Sequence, residues 1–150
     1  MKVLILCDMF PPAFAPRMGY LCKYMKRAGW QPVVVTEEIP ENMFAFLAHL
    51  VPATYVRFFH ARHPLLRKVE WLVVFLLDFF FHYKDRKMAQ VADRLMQSQP
   101  FDAVLCSTYR TFPLPAALRV AKKYRLPLVA DLRDIVEQYA ANEYISKSFH

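Results

Sequence analysis

The chain has 150 residues, of which 56% are hydrophobic, 15% aromatic and 22% charged. That length and apolar content exclude a disordered chain and suffice for one domain that buries roughly two-thirds of its unfolded surface. A formal charge of +7 and a pI near 9.5 favour an anionic partner (a phosphorylated ligand, a membrane surface or nucleic acid), while a merely soluble basic domain stays open on charge alone.

Val3–Cys7 is an apolar strand ended by Asp8-Met9-Phe10-Pro11-Pro12. Its apolar run is too short for the core of a secretory leader. Met18, Leu21, Cys22, Met25 and Ala28 recur at helical spacing and predict a helix over Arg17–Ala28. Pro16 suits its first turn, and Gly29 suits the left-handed position that ends it. Val33–Thr36 reads as a second strand, Glu41–Leu50 as a short helix and Thr54–Phe59 as a third strand. Pro64 opens a long apolar segment, Leu65–His82, and Lys84–Gln97 reads as the next helix. Ala103–Ser107 and Leu126–Asp131 are the fourth and fifth strands. They flank a helix marked by Leu114, Ala117, Leu118, Ala121 and Tyr124, and Ile135–Ser148 is expected to be helical. The three cysteines, Cys7, Cys22 and Cys106, fall in predicted core strands or on an apolar helix face. An odd count there argues for buried, inert thiols in a reducing cytosol, not for a disulfide framework.

Strands alternating with helices predict an α/β, Rossmann-like, doubly wound parallel sheet with helices on both faces, in the order 3-2-1-4-5. Ligands of such sheets bind beyond the carboxyl ends of the strands, where the winding reverses between strands 1 and 4. The loops at that place are Asp8–Pro16 and Thr108–Pro113, with Asp131–Asp134 beside them. Neither a GxGxxG nor a P-loop pattern occurs, and one of the two glycines, Gly19, lies inside the first helix. Arg17 in the first turn of that helix makes sense if an anion arrives, because the helix dipole disfavours a cation there; a side chain swung into water is the plain alternative. Ser107, Thr108 and Tyr109 offer hydrogen bonds to a polyol, or form a polar turn. Asp131 beside the cleft is placed to orient or deprotonate a hydroxyl, or to lock its loop through an ion pair. The expected substrate-binding set is thus Asp8, Arg17, Gly19, Ser107, Thr108, Tyr109 and Asp131. No metal constellation stands out; His60 and His63 read as part of a basic surface patch.

Val69–Phe81 carries Trp71, Phe75, Phe79, Phe80 and Phe81, with only Glu70 and Asp78 charged. Arg57, His60, Arg62, His63, Arg67 and Lys68 precede it. The run is too short to span a bilayer, so it is expected to be a core helix on the flank of the sheet, with an interfacial helix as the alternative. On the second reading, residues 57–82 make peripheral contact with a membrane.

Several of these pieces resemble one family. Val3–Pro12, Leu21-Cys22-Lys23-Tyr24-Met25 through Gly29-Trp30, and Val33–Thr36 are similar to the start of family-4-type glycosyltransferases, which have the two-domain GT-B fold. Phe101–Thr108 and Leu126–Asp134 resemble two later strands of the same domain, the second ending in Asp131-Leu132-Arg133-Asp134. The loop before the first helix departs from the family's Gly-Gly and reads Pro12-Ala13-Phe14-Ala15. The resemblance implies that residues 1–150 are a truncated amino-terminal, acceptor-side domain, one half of a GT-B enzyme whose carboxy-terminal domain holds the nucleotide-sugar donor. It implies transfer of a sugar to a cell-surface polysaccharide or glycolipid acceptor at the cytoplasmic face of the membrane. No cofactor, catalytic metal or nucleic acid is expected. Asp134 and Arg133 are the implied catalytic residues, Arg133 acting electrostatically. The fragment alone is expected to be inactive. The alternative is a stand-alone doubly wound module for a phosphorylated small molecule.

Overall fold

A computed structural model describes residues 1–109 and 111–132. Among these residues the strands are β1 (Lys2–Cys7), β2 (Gln31–Glu37), β3 (Ala53–Val56), β4 (Ala103–Thr108) and β5 (Leu128–Leu132). They form one sheet in the order β3-β2-β1-β4-β5, with every pairing parallel. The helices are α1 (Pro16–Arg27), α2 (Ala45–Ala48), α3 (Pro64–Phe81), α4 (Tyr83–Ser98) and α5 (Leu114–Tyr124). The expected α/β, Rossmann-like architecture and strand order are those observed.

Strand β1 lies at the centre. Leu4, Ile5 and Leu6 are fully buried because neighbouring strands cover both edges and helices both faces. Alternation then sorts its side chains. Leu4 and Leu6 join Val33, Val35, Val104 and Cys106 against α4 and α5, whereas Val3, Ile5 and Cys7 join Val34 against α1. Each fully buried aliphatic contributes about 1.5–3 kcal/mol, an upper figure. Helix α5 begins after Pro113 and has no cap of its own. Asp85 of α4 supplies one, accepting the Ala116 N–H at 3.2 Å, and burial pushes its carboxyl above the ordinary range.

Several expected bounds change. The Glu41–Leu50 helix shrinks to Ala45–Ala48, and β3 ends at Val56 instead of running on to Phe59. Strand β5 starts at Leu128, after Leu126 and Pro127. In α1 the buried stripe is Met18, Gly19, Cys22 and Met25, while Leu118 of α5 faces water. The larger correction concerns α3. It is not a core helix: Val74 is its one buried residue, and Trp71, Leu72, Phe75, Phe79 and Phe80 are exposed. The predicted helix at Ile135–Ser148 lies outside the described residues.

Helix α3 rests on the body through its acidic residues. Glu70 accepts the N–H groups of His60 (2.7 Å) and Ala61 (2.8 Å), and Asp78 accepts the N–H of Lys84 (2.8 Å). His82, at φ 50°, ends α3 and is the residue from which α4 starts, without a side-chain cap. Left-handed backbone is also taken by Ala15 and Arg125, and among glycines by Gly29.

Gly19 marks a close contact of α1 with the loop after β1 and with α2. A β-carbon there would lie 3.0 Å from Pro11 Cγ and 3.1 Å from Leu47 Cβ and Cδ1. Gly19→Ala is therefore expected to lower unfolding free energy by about 1–3 kcal/mol in urea titrations, despite alanine's better helix propensity. A neutral or stabilising result would show that Leu47 yields freely. The Glu70 seat generates a pH prediction. Its two backbone donors hold the carboxyl below its ordinary value of 4.5. Such a group stabilises the folded state above the unfolded pKa, and the contribution disappears as pH falls through the lower folded value. Amide protection at His60 and Ala61 should accordingly drop on acidification below about 4.5 in the wild type, and be low at all pH values in Glu70→Gln.

Candidate functional site

The parallel register sets five side chains in a row near the carboxyl end of the sheet. Thr36 pairs with Tyr55 and Cys7, Cys7 with Ser107, and Ser107 with Asp131. Partners in register point to the same face, here the α1 face. The Tyr55 hydroxyl donates to the Pro11 carbonyl and so pins the loop after β1. Burial raises the Tyr55 pKa, with the neighbouring Cys7 adding to the shift, so the phenol stays protonated and able to donate. Ser107 Oγ donates to Asp131 Oδ2 at 2.9 Å, and Arg17 Nη2 donates to Asp131 Oδ1 at the same distance. Asp131 thus ties the first turn of α1 to the ends of β4 and β5. Arg17 is solvent-exposed, so this pair contributes little to stability and serves to orient both groups.

Asp8 closes the switch point itself. It follows β1, is buried, and accepts the Met9 N–H (2.9 Å) and the Tyr109 N–H (3.0 Å) through its two oxygens. One carboxylate therefore joins the loops after β1 and β4. Thr108 Oγ1 donates to the Phe112 carbonyl at 2.5 Å and closes the second loop on itself. The Pro11–Pro12 and Phe112–Pro113 bonds of these two loops are both cis.

An open cavity of about 690 Å³ lies beside Asp8. Met9, Tyr109, Thr111 and Phe112 line it from the two loops, Glu37 from the end of β2 and Phe59 from beyond β3. Helix α3 supplies the remaining wall through Trp71, Val74, Phe75 and Asp78. Lys84 also reaches the cavity, but its charge is already matched. Its ammonium donates to both Glu37 oxygens at 2.9 Å and sits over the rings of Phe58, Phe112 and Phe59 at 4.9, 5.4 and 5.7 Å. The cavity thus combines flat aromatic surface with carboxylate acceptors. That chemistry suits a hydroxyl-rich ligand: ring faces take its C–H surface and carboxylates take its O–H groups.

The expected residues therefore divide. Asp8 and Tyr109 border the cavity, while Arg17, Ser107 and Asp131 form a linked cluster on the α1 side of the same rim. Thr108 is buried at the end of β4, bonded to the loop that follows, and Gly19 is buried against Pro11 and Leu47. Arg133 and Asp134 lie outside the described residues. Burial pushes the thiols of Cys22 and Cys106 up to about 12, so neither supplies a thiolate near neutral pH. Sequence reasoning missed Glu37, Lys84 and the aromatic wall from α3. Glu37 was within reach, since it closes a strand at the carboxyl end of the sheet; Lys84 has no local signal at all.

No protein-family model matches the chain, and no curated protein matches it significantly. Among solved structures it is similar to MurG of Acinetobacter baumannii, with a TM-score of 0.49, 14% identity, and coverage of 86% of this chain and 34% of that one. It is also similar to a UGT transferase from Siraitia grosvenorii solved in complex with UDP, with a TM-score of 0.42, 12% identity, and coverage of 87% of this chain and 27% of that one. The chain spans about a third of the first protein and about a quarter of the second.

The Asp8 bridge is directly testable. Asp8→Ala leaves two amide donors without this acceptor and is expected to cost about 1–3 kcal/mol, with loss of Tyr109 amide protection in hydrogen exchange. Unchanged protection at Tyr109 would mean that the two loops are held together by something else.

Proposed function

We propose that this chain is the acceptor-binding, amino-terminal half of a glycosyltransferase of GT-B type. The carrying observation is the cavity at the switch point of the parallel sheet. There Asp8 and Tyr109, aromatic walls and further carboxylates converge where a doubly wound fold binds its ligand. The resemblance of Val3–Pro12, Phe101–Thr108 and Leu126–Asp134 to family-4-type enzymes supports the same reading. The acceptor is a sugar of a cell-surface polysaccharide or glycolipid, and the cavity holds it by ring stacking and hydroxyl hydrogen bonds. The donor is a nucleotide sugar brought by a second domain.

In the reaction an acceptor hydroxyl attacks the anomeric carbon of the donor, the hydroxyl loses its proton, and the nucleoside diphosphate leaves. The Arg17–Asp131–Ser107 cluster lies on the rim where donor phosphates approach, so Arg17 is free to exchange one carboxylate partner for developing phosphate charge. The resemblance assigns Asp134 and Arg133 to the reacting centre. The chain by itself binds acceptor but does not transfer, because catalysis requires both halves to hold the reactants together. A stand-alone module for a phosphorylated small molecule is the second reading, favoured by the exposed Arg17 at the start of α1.

Two measurements test the proposal. Titrating the chain with methyl hexosides should perturb the amide signals of Met9, Tyr109 and Thr111 in NMR spectra. Perturbation by sugar phosphates and not by neutral sugars would favour the second reading. In the full-length enzyme Arg17→Ala should lower the transfer rate by at least about tenfold, with a change in unfolding free energy below about 0.5 kcal/mol. An unchanged rate would reduce Arg17 to a surface arginine.

A further inference from the structure

Helix α3 is turned inside out. Its acidic residues and its buried one, Glu70, Val74 and Asp78, stand at i, i+4 and i+8 and form a single stripe. That stripe faces the body, where both carboxylates are bound to backbone N–H groups. The opposite stripe is Leu65, Val69, Leu72, Leu76, Phe79 and Phe80, each between 43% and 69% exposed. A surface helix normally shows water its polar side. This one presents an apolar row that runs from Leu65 to Phe80, about 22 Å at the helical rise per residue. No helix among the described residues is long and apolar enough to cross a membrane.

The charges around this row select its occupant. Arg62, Arg67 and Lys68, with Trp71, line a shallow recess of about 420 Å³ at the amino-terminal end of α3. None of these three cations has an ion pair among the described residues. The outward row carries no acidic residue, since Glu70 and Asp78 are turned inward. A second copy docked through this row would therefore offer the cations no countercharge, whereas an anionic bilayer offers phosphates beside an apolar interior.

We infer that α3 is a membrane-docking element that lies in the plane of an anionic bilayer, with its outward row in the acyl boundary and the Arg62–Arg67–Lys68 recess on lipid phosphates. The other flank of the same helix, through Trp71, Val74, Phe75 and Asp78, walls the 690 Å³ cavity. Docking therefore sets the cavity mouth against the lipid surface. That the cavity draws a lipid-linked acceptor from that surface rests on the sugar-transfer reading.

Co-sedimentation of the 150-residue chain with vesicles tests the docking. Vesicles containing phosphatidylglycerol should pellet it, and vesicles of phosphatidylcholine alone should do so more weakly. In a Trp30→Phe background the fluorescence of Trp71 should shift to the blue and be quenched by brominated acyl chains. Arg67→Gln and Lys68→Gln should each weaken partitioning about fivefold. Leu72→Asp with Leu76→Asp should weaken it by more than about tenfold while leaving the circular dichroism melt unchanged. Should that double variant fail to fold, Leu72→Ser with Leu76→Ser and the charge variants carry the same comparison. Equal recovery in the supernatant with both vesicle types overturns the inference. So does a dimer abolished by the Leu72 and Leu76 changes in a chain that binds no vesicles, since that assigns the row to a second copy. Vesicle binding combined with no transfer by the full-length enzyme supports docking and removes the sugar-transfer reading. Transfer without vesicle binding does the reverse.

Discussion

A strand enclosed on every side governs this molecule. β1 has β2 on one edge and β4 on the other, and its apolar side chains feed both cores. Since all its neighbours run parallel, no tight turn can join them, and each connection must cross a face of the sheet. All carboxyl ends consequently meet at one rim. The two connections that leave β1 and β4 go to opposite faces, so a gap opens between them. Asp8 spans that gap with one carboxylate, and the cavity lies alongside. The polar chemistry of the rim follows from burial at the centre: Asp8 is the first residue that the core does not require to be apolar.

This dependence explains how much could be read from residues alone. Strand identity was legible wherever a short apolar run stood between turn signals, as in Val33–Val35 and Val104–Cys106. Order followed from handedness. The loops at the rim followed from order, which is why Asp8, Tyr109 and Asp131 could be nominated without a motif. Side-chain contacts between distant elements were not legible. Tyr55 bonds to the Pro11 carbonyl in the loop after β1, and Lys84 of α4 to Glu37 of β2, across 44 and 47 residues, and only the tertiary fold sets such meetings. Short elements were misjudged for another reason. Ala45–Ala48 and Ala53–Val56 are held by their neighbours more than by their own pattern, so propensity could not place their ends.

Helix α3 shows a different limit. Its composition announced a helix and an unusual one, but an apolar stripe and a polar stripe are symmetrical facts until something says which side is out. Burial is the usual assumption, and here it fails. The side chains that decide the matter are the two charged ones. A carboxylate accepting backbone N–H groups, as Glu70 and Asp78 do, is as well satisfied against protein as in water. Acidic residues turned inward leave the apolar majority facing away. Lys84 follows the same logic at the neighbouring corner, where Glu37 and three aromatic rings take up its charge.

The left-handed residues Ala15, His82 and Arg125 have a thermodynamic consequence of their own. Each carries a β-carbon where glycine is usual, at a native-state cost of about 1–2 kcal/mol. Yet a chain with 2 glycines and 11 prolines also has an unusually stiff denatured ensemble. It surrenders less disorder when it folds, by roughly 0.4–1 kcal/mol at each site where such a residue replaces a freer one. Torsional strain in the native chain is thus set against reduced freedom in the random coil, and a protein nearly without glycine keeps these corners on those terms.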